Sequence, residues 1–240
     1  MGWWQLVHDG ESRFTQERFL VMANMASENK KLARRGNRPA IGVYIITDVE
    51  PLIALKEGLD KTVCGTCSIH DECYVNPIRG PSAAWQALIT GAYEPLDLEA
   101  WIGRFVRLGE YGEPTLIPLP LTKQIVSRAK RAIGYTHQWR ERWAQKYKPY
   151  LMASVETDAD AKRAKRKGWR YFRVRDLSSP IGEREFICPS DSWAVELGLV
   201  RRKITCDECG ACDGASRGAG RASPVIIKHG FRTGKRGVRS

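Results

Sequence analysis

A chain of 240 residues with 42% hydrophobic side chains is long enough to bury a real core, as one barrel-sized domain or two small ones. No apolar run reaches bilayer length, and the start "MGWWQLVHDGESRF" lacks the features of a secretory signal, so a membrane or exported protein is not expected and the cytoplasm is. The net charge of +12 is placed unevenly: no acidic residue follows Asp213, whereas Arg217, Arg221, Lys228, Arg232, Lys235, Arg236 and Arg239 are basic, which makes the tail a candidate nucleic-acid contact.

Three segments are expected: a lead-in over 1–39, a domain over 40–230 carrying two cysteine windows, and a basic tail over 231–240. The lead-in reads as irregular with one helix, "TQERFLVMANMASENKKLARRG", stopped at Gly36. "AIGVYIITD" (40–48) is an apolar, β-rich run of the kind buried on both faces. Two helices are expected around Ser82–Thr90 and Leu98–Ile102. The pattern then alternates: strand 103–109, helix 119–132, strand 132–137, helix "QWRERWAQKY", strand 149–156, and helix 158–168 with Gly168 as its stop. Strands follow at 169–175 and 184–189. Next come a helix over 190–198 capped by Ser190 and a last strand over 223–230.

Strand and helix alternating at short spacing predict βα units on a parallel sheet, closed into a full or partial TIM-like barrel, with an open doubly wound sheet as the other arrangement. In either, polar residues at the carboxyl ends of strands are the site candidates: Asp48, Glu110, His137, Glu156, Arg175, Cys188 and His229. His137 and Glu156 are the candidate catalytic pair, His137 for proton transfer near neutral pH and Glu156 as its acidic neighbour. Asp158 reads as a helix cap. Arg173 and Arg175 alternate with apolar residues and make one strand face basic, toward an anion or toward solvent. Trp139, Trp143 and Trp169 read as core. No P-loop, Gly-x-Gly-x-x-Gly, His-Glu-x-x-His or Gly-x-Ser-x-Gly pattern is present.

Seven cysteines cannot all pair within one chain, and six of them fall in two short windows. Cys206, Cys209 and Cys212 have C-x2-C-x2-C spacing. A single zinc usually pairs two separated knuckles, whereas a [4Fe–4S] cube takes three corners from one tight loop. The bacterial ferredoxin run adds a cysteine followed by proline, and Cys188-Pro189 supplies one. The expected ligands are Cys188, Cys206, Cys209 and Cys212, with zinc on some of the same thiols as the alternative. Cys64, Cys67 and Cys73 form C-x2-C-x5-C around His70: either a zinc site completed by His70, or a second cluster with one open iron and His70 left in an exposed loop.

At these positions the chain resembles the radical S-adenosylmethionine superfamily, in which a three-cysteine loop follows the first strand of a partial βα barrel and a Gly-Gly-Glu-Pro-like turn follows the second. Here "GRFVRLG" leads into "EYGEPTL", and Gly112, Glu113 and Pro114 match three of the four motif residues. The resemblance implies that these three bind the amino group of S-adenosylmethionine. The departures are C-x2-C-x5-C in place of C-x3-C-x2-C, and Tyr111 in place of a glycine. The words "CYVN", "YGEP", "GYTHQW", "LMASVET", "GWRYFRVR" and "CPSDSWAVELG", with C-x2-C-x2-C-x-G, also resemble a group of cysteine-rich proteins carried by phages and plasmids. That resemblance implies a mobile-element origin and host-cell cytoplasm.

Three functions follow as expectations. The first is a redox or radical-type iron–sulfur enzyme acting on a small molecule or with a redox partner. The second is a cluster protein for electron transfer or sensing. The third is a zinc-stabilised nucleic-acid-binding protein using the tail and helices around Arg128–Arg142 and Lys162–Lys167.

Overall fold

The computed structural model describes residues 3–27, 29–33, 38–216, 218 and 220–228. Its strands are β1 (Trp4–Glu11), β2 (Arg18–Ser27), β3 (Ala40–Ile46), β4 (Glu94–Pro95), β5 (Phe105–Tyr111), β6 (Arg131–Thr136), β7 (Met152–Val155), β8 (Tyr171–Arg175), β9 (Glu185–Ile187) and β10 (Ser223–Ile227). Helices are α1 (Pro51–Glu57), α2 (Lys61–Cys64), α3 (Gly80–Ile89), α4 (Leu119–Arg128), α5 (Asp158–Arg166), α6 (Ser192–Glu196) and α7 (Cys206–Cys209). The strands form one ten-stranded, mostly parallel sheet in the order β4-β1-β2-β3-β5-β6-β7-β8-β10-β9. Only the β1–β2 and β2–β3 pairs are antiparallel.

Every residue of β3 is buried, as expected of an apolar run covered on both faces. The α/β expectation holds: from β3 onward the paired strands are parallel, joined by segments that include α1–α3, α4 and α5. Parallel strands point their carboxyl ends the same way, so the segments after β3, β5, β6, β7, β8 and β9 meet along one edge of the sheet. That edge positions the site.

Several local expectations are corrected. The helix expected over "TQERFLVMANMASENKKLARRG" is in large part strand β2, and the "irregular" start contains β1. Phe19 to Ala23 are buried in succession. A short apolar run of that kind fits either period, and pairing with β1 and β3 decides it. "QWRERWAQKY" is a turn leading to a 3₁₀ segment, Trp143–Tyr147. Residues 98–101 are likewise 3₁₀. Helix α6 is capped by Asp191, whose carboxylate accepts from the Trp193 N–H at 3.0 Å, and not by Ser190. Helix α5 is capped by Thr157, whose hydroxyl accepts from the Asp160 N–H at 3.1 Å. Asp158 instead ion-pairs Arg173 at 3.2 Å. Trp139 and Trp169 are core, as expected. Arg173 and Arg175 face neither an open anion site nor solvent. Arg173 is buried and held in a two-pronged pair by Glu185, and Arg175 donates to the Asp176 and Leu177 carbonyls. His229 and the 231–240 tail lie outside the described residues.

Candidate functional site

A cavity of about 320 Å³ opens at the carboxyl ends of the parallel strands. Both cysteine windows face it: Cys64, Cys67 and Cys73 from the loop after β3, Cys188 after β9, and Cys206 on α7. The windows are remote in sequence and share one wall.

The first window is pinned to the turn after β5. The Glu113 N–H donates to the Val63 carbonyl at 2.7 Å, one residue before Cys64. Thr66, between Cys64 and Cys67, donates its hydroxyl to the buried Gln138 at 3.0 Å. Gly112 sits at φ +79, and a β-carbon there would stand 2.8 Å from Ile45 Cβ and from its carbonyl oxygen. Only glycine fits that turn without strain. The Glu113 side chain is buried and faces the protein: one oxygen accepts from the Thr115 N–H and hydroxyl at 3.1 and 2.8 Å, the other from the His137 N–H at 3.1 Å. Burial pushes its carboxyl up, against the pull of these bonds. Pro114 opens a 3₁₀ turn behind it.

His70 is half-buried in a 3₁₀ turn and lines the cavity with the thiols of its window. Its Nε2 lies 2.8 Å from the buried Asp60 and its Nδ1 3.2 Å from Asp71, so both ring nitrogens are engaged by carboxylates.

Among the expected catalytic residues, the structure brings His137 and Glu156 together. His137 Nδ1 lies 3.7 Å from a Glu156 oxygen. Ser68, inside the first cysteine window, donates to the other oxygen at 2.9 Å and sits 3.5 Å from Nδ1. Burial, then the Arg140 charge, lowers the His137 pKa to about 4, and burial raises that of Glu156. Burial thus disfavours the charged form of both groups, and it moves His137 away from the near-neutral range expected of a general base. Between about pH 4 and the ordinary 6.5 the folded chain therefore binds fewer protons at His137 than the unfolded chain. Its contribution to stability is full above 6.5 and is lost as pH falls toward 4. The raised carboxyls of Glu113 and Glu156 act in the opposite sense, so a site-resolved titration is the clean measurement. Imidazole NMR should place the His137 midpoint at about 4, and a midpoint of 6 or more would mean that burial does not hold it down.

The second window is carried by α7 and the loop that follows. The Cys206 and Asp207 N–H groups donate to the Lys31 and Leu32 carbonyls, each at 2.9 Å, so the segment before β3 seats this window. Arg170, fully buried, holds the loop from behind. Its Nη1 donates to the Ala211 carbonyl at 2.6 Å, to Asp213 at 3.0 Å and to the Gly214 carbonyl at 3.1 Å, and its Nη2 donates to the Ala222 carbonyl at 2.9 Å. Gly214, at φ +70, passes so close to Pro149 that a β-carbon would lie 2.7 Å from its carbonyl oxygen.

All seven cysteines are thiols, with no disulfide among them. Burial pushes Cys188 up to about 12, and Cys206 and Cys209 add to the shift. Cys212 rises by burial too, with Cys188, Cys206 and Cys209 contributing, against a hydrogen bond from Tyr135. Cys206 also rises by burial, opposed by the Arg107 charge. The four sulfurs of the expected set therefore share one electrostatic neighbourhood. They do not close on a point: among the described residues, no group of three or more His, Cys, Asp or Glu side chains is gathered tightly enough to hold a metal ion. In the first window burial, opposed by an Ile69 hydrogen bond and aided by Cys73, pushes Cys67 up to about 12.

Sequence reasoning missed Arg107, Arg170, Ser68 and Tyr135. Arg107 carried a visible signal, a charge inside the strand "GRFVRLG" that is otherwise apolar enough to be buried. The described part of the proposed phosphate face is not one helix: Arg128 ends α4, Arg131 begins β6, and Arg140 pairs with Asp160 at 2.8 Å. No helix among the described residues is long and apolar enough to cross a membrane. Comparison with protein-family models, curated proteins and solved structures gives no match.

Proposed function

We propose that this chain is an iron–sulfur enzyme whose two cysteine windows serve one ligand-sized cavity, on a partial βα barrel of the radical S-adenosylmethionine type. The observation that carries the reading is the shared cavity itself: cysteines from three separate segments line it. The parallel strands β3, β5, β6, β7, β8 and β10 would form the barrel. The first window follows β3 and the Gly112-Glu113-Pro114 turn follows β5, in the order the resemblance implies. A carrier or sensor of electrons needs no ligand-sized cavity, so the enzyme reading is favoured over that one.

The donor sets fit. Cys188, Cys206, Cys209 and Cys212 offer four neighbouring sulfurs for one [4Fe–4S] cluster, and Cys64, Cys67 and Cys73 offer three for a second with an open iron. Four thiols spread around one neighbourhood suit a cube better than a single zinc, whose sulfurs must all approach to about 2.3 Å. Buried thiols held high also need a cationic centre before they ionise. A reduced cluster supplies single electrons, and S-adenosylmethionine beside it supplies a radical source. The chain's own part is to bind and to manage protons. With the Glu113 carboxylate engaged by Thr115 and His137, recognition of an ammonium at this turn falls to its backbone carbonyls. His137 accepts or returns a proton on the cavity side, with Glu156 and Ser68 fixing its ring.

Anaerobic purification tests this. The expected protein is brown, with about four irons for each cluster formed. A colourless protein with stoichiometric zinc would overturn the proposal in favour of the zinc-stabilised reading. Calorimetry with S-adenosylmethionine then tests the radical assignment, which absence of heat and of cleavage under reductant would reject.

A further inference from the structure

Between the two cysteine windows, β5 places Arg107 in the cavity wall. Its side chain lies in a residue only 9% exposed. A guanidinium removed from water needs counter-charge or full hydrogen bonding. Arg170 and Arg173 each have a carboxylate partner, Asp213 and Glu185. Arg107 has less. One Nη donates to the Tyr74 hydroxyl, and the Tyr74 and Tyr135 rings lie 5.8 and 5.5 Å from the guanidinium carbon. Among the described residues its Nε has no partner. The neighbouring carboxylate, Glu110, also lines the cavity and acts on Arg107 through its charge, with one oxygen accepting from Asn29 at 2.7 Å.

A second cation, Lys31, lines the same cavity. Two cations lining one cavity offer an anion two points of attachment. The lining also carries the carboxylates Glu72, Glu110 and Glu113, and an apolar part in which the Tyr135 and Phe172 rings pack at 4.7 Å, with Val174 and Ile226 beside them. The volume is that of a small-molecule site.

We propose that the cavity binds a small molecule bearing an oxyanion, a carboxylate or a phosphate, which Arg107 and Lys31 hold while Tyr135 and Phe172 receive an apolar or aromatic body. Arg107 offers a planar fork for two oxygens, and Lys31 a point charge. The inference goes beyond the cluster reading and does not need it. A protein that proves colourless runs the same titration.

The test uses the full chain as purified anaerobically, with phenyl phosphate, benzoate and the neutral benzyl alcohol as probes, followed by ligand-observed NMR or calorimetry. At least one anion should bind about tenfold more tightly than benzyl alcohol, and the stronger of the two identifies the group preferred. Arg107→Met should abolish that preference, and Arg107→Lys should retain part of it. Lys31→Met should weaken binding of the anion alone, and this second variant decides the matter should Arg107→Met fail to fold. Equal affinity for charged and neutral probes in the unmodified protein would overturn the proposal. So would an unchanged preference in the folded Arg107 or Lys31 variant, because a guanidinium that merely offsets the charge of Cys206 would leave probe selection intact.

Discussion

Replacing Arg170 by methionine is expected to lower the unfolding free energy by about 3–5 kcal/mol, the usual cost of breaking a buried charge pair from one side. Methionine keeps much of the volume and the buried stem, so the loss is polar. Asp213, only 8% exposed, would keep Arg221 at 2.9 Å as a more exposed partner. The Ala211, Gly214 and Ala222 carbonyls would lose a charged donor inside the protein, where an unsatisfied group costs about 1–3 kcal/mol. The three carbonyls flank the last cysteine of the second window, from Ala211 just before it to Ala222 ahead of β10. The variant should therefore lose rigidity where Cys212 is held, and on the proposed cluster reading its iron content should fall even under conditions in which it stays folded. Chemical denaturation with an unchanged m-value gives the first quantity, and metal analysis of the folded variant the second. A destabilisation below about 1 kcal/mol would mean that the loop finds other donors and that Arg170 is not its anchor.

The α/β alternation after residue 100 was legible because each strand there is short, apolar and closed by a glycine or a charged helix start. The helix over 158–166 was readable residue by residue, with acids in its first turn and bases in its last. The error in β2 has a physical source. "RFLVMANMAS" carries a run of apolar residues without a clear period, and its state is decided by β1 and β3, partners that no local window contains. The misassigned caps share a simpler cause: at 190–191 and 157–158 two adjacent residues could each cap, and the backbone turn selects the second in one case and the first in the other.

The candidate site was legible at the strand ends. His137 and Glu156 follow β6 and β7, neighbouring parallel strands, so meeting at one edge is a consequence of topology. The buried arginines were harder. Arg107, Arg170 and Arg173 all stand among apolar residues, and the sequence does not tell which acid will meet which base. Asp213 lies far along the chain from Arg170, and Glu185 reaches Arg173 only because β10 inserts between β8 and β9. The contact of His70 with Asp60 was hidden for the same reason, since Asp60 belongs to the turn that starts α2.

Cys209→Ala and Cys67→Ala should each remove one cluster and leave the other, so that each variant retains about half the iron and half the visible absorbance, and the double variant retains none. On the proposed cluster reading this separation follows from the chain: the first window lies between β3 and β5, and the second on α7 and the loop after it, although both reach one cavity. Losing the second cluster should also loosen the fold, because α7 is tied to Lys31 and Leu32 ahead of β3 and the loop after it to Arg170, so Cys209→Ala should melt earlier than Cys67→Ala. The first window sits on the Val63 and Thr66 contacts, which do not depend on metal, and its loss should leave the melting point close to that of the parent. A Cys209→Ala protein with full iron would remove Cys209 from the ligand set. Loss of all iron from either single variant would instead mean one cluster drawing on both windows across the cavity, and a radical site and a second cluster could not then coexist.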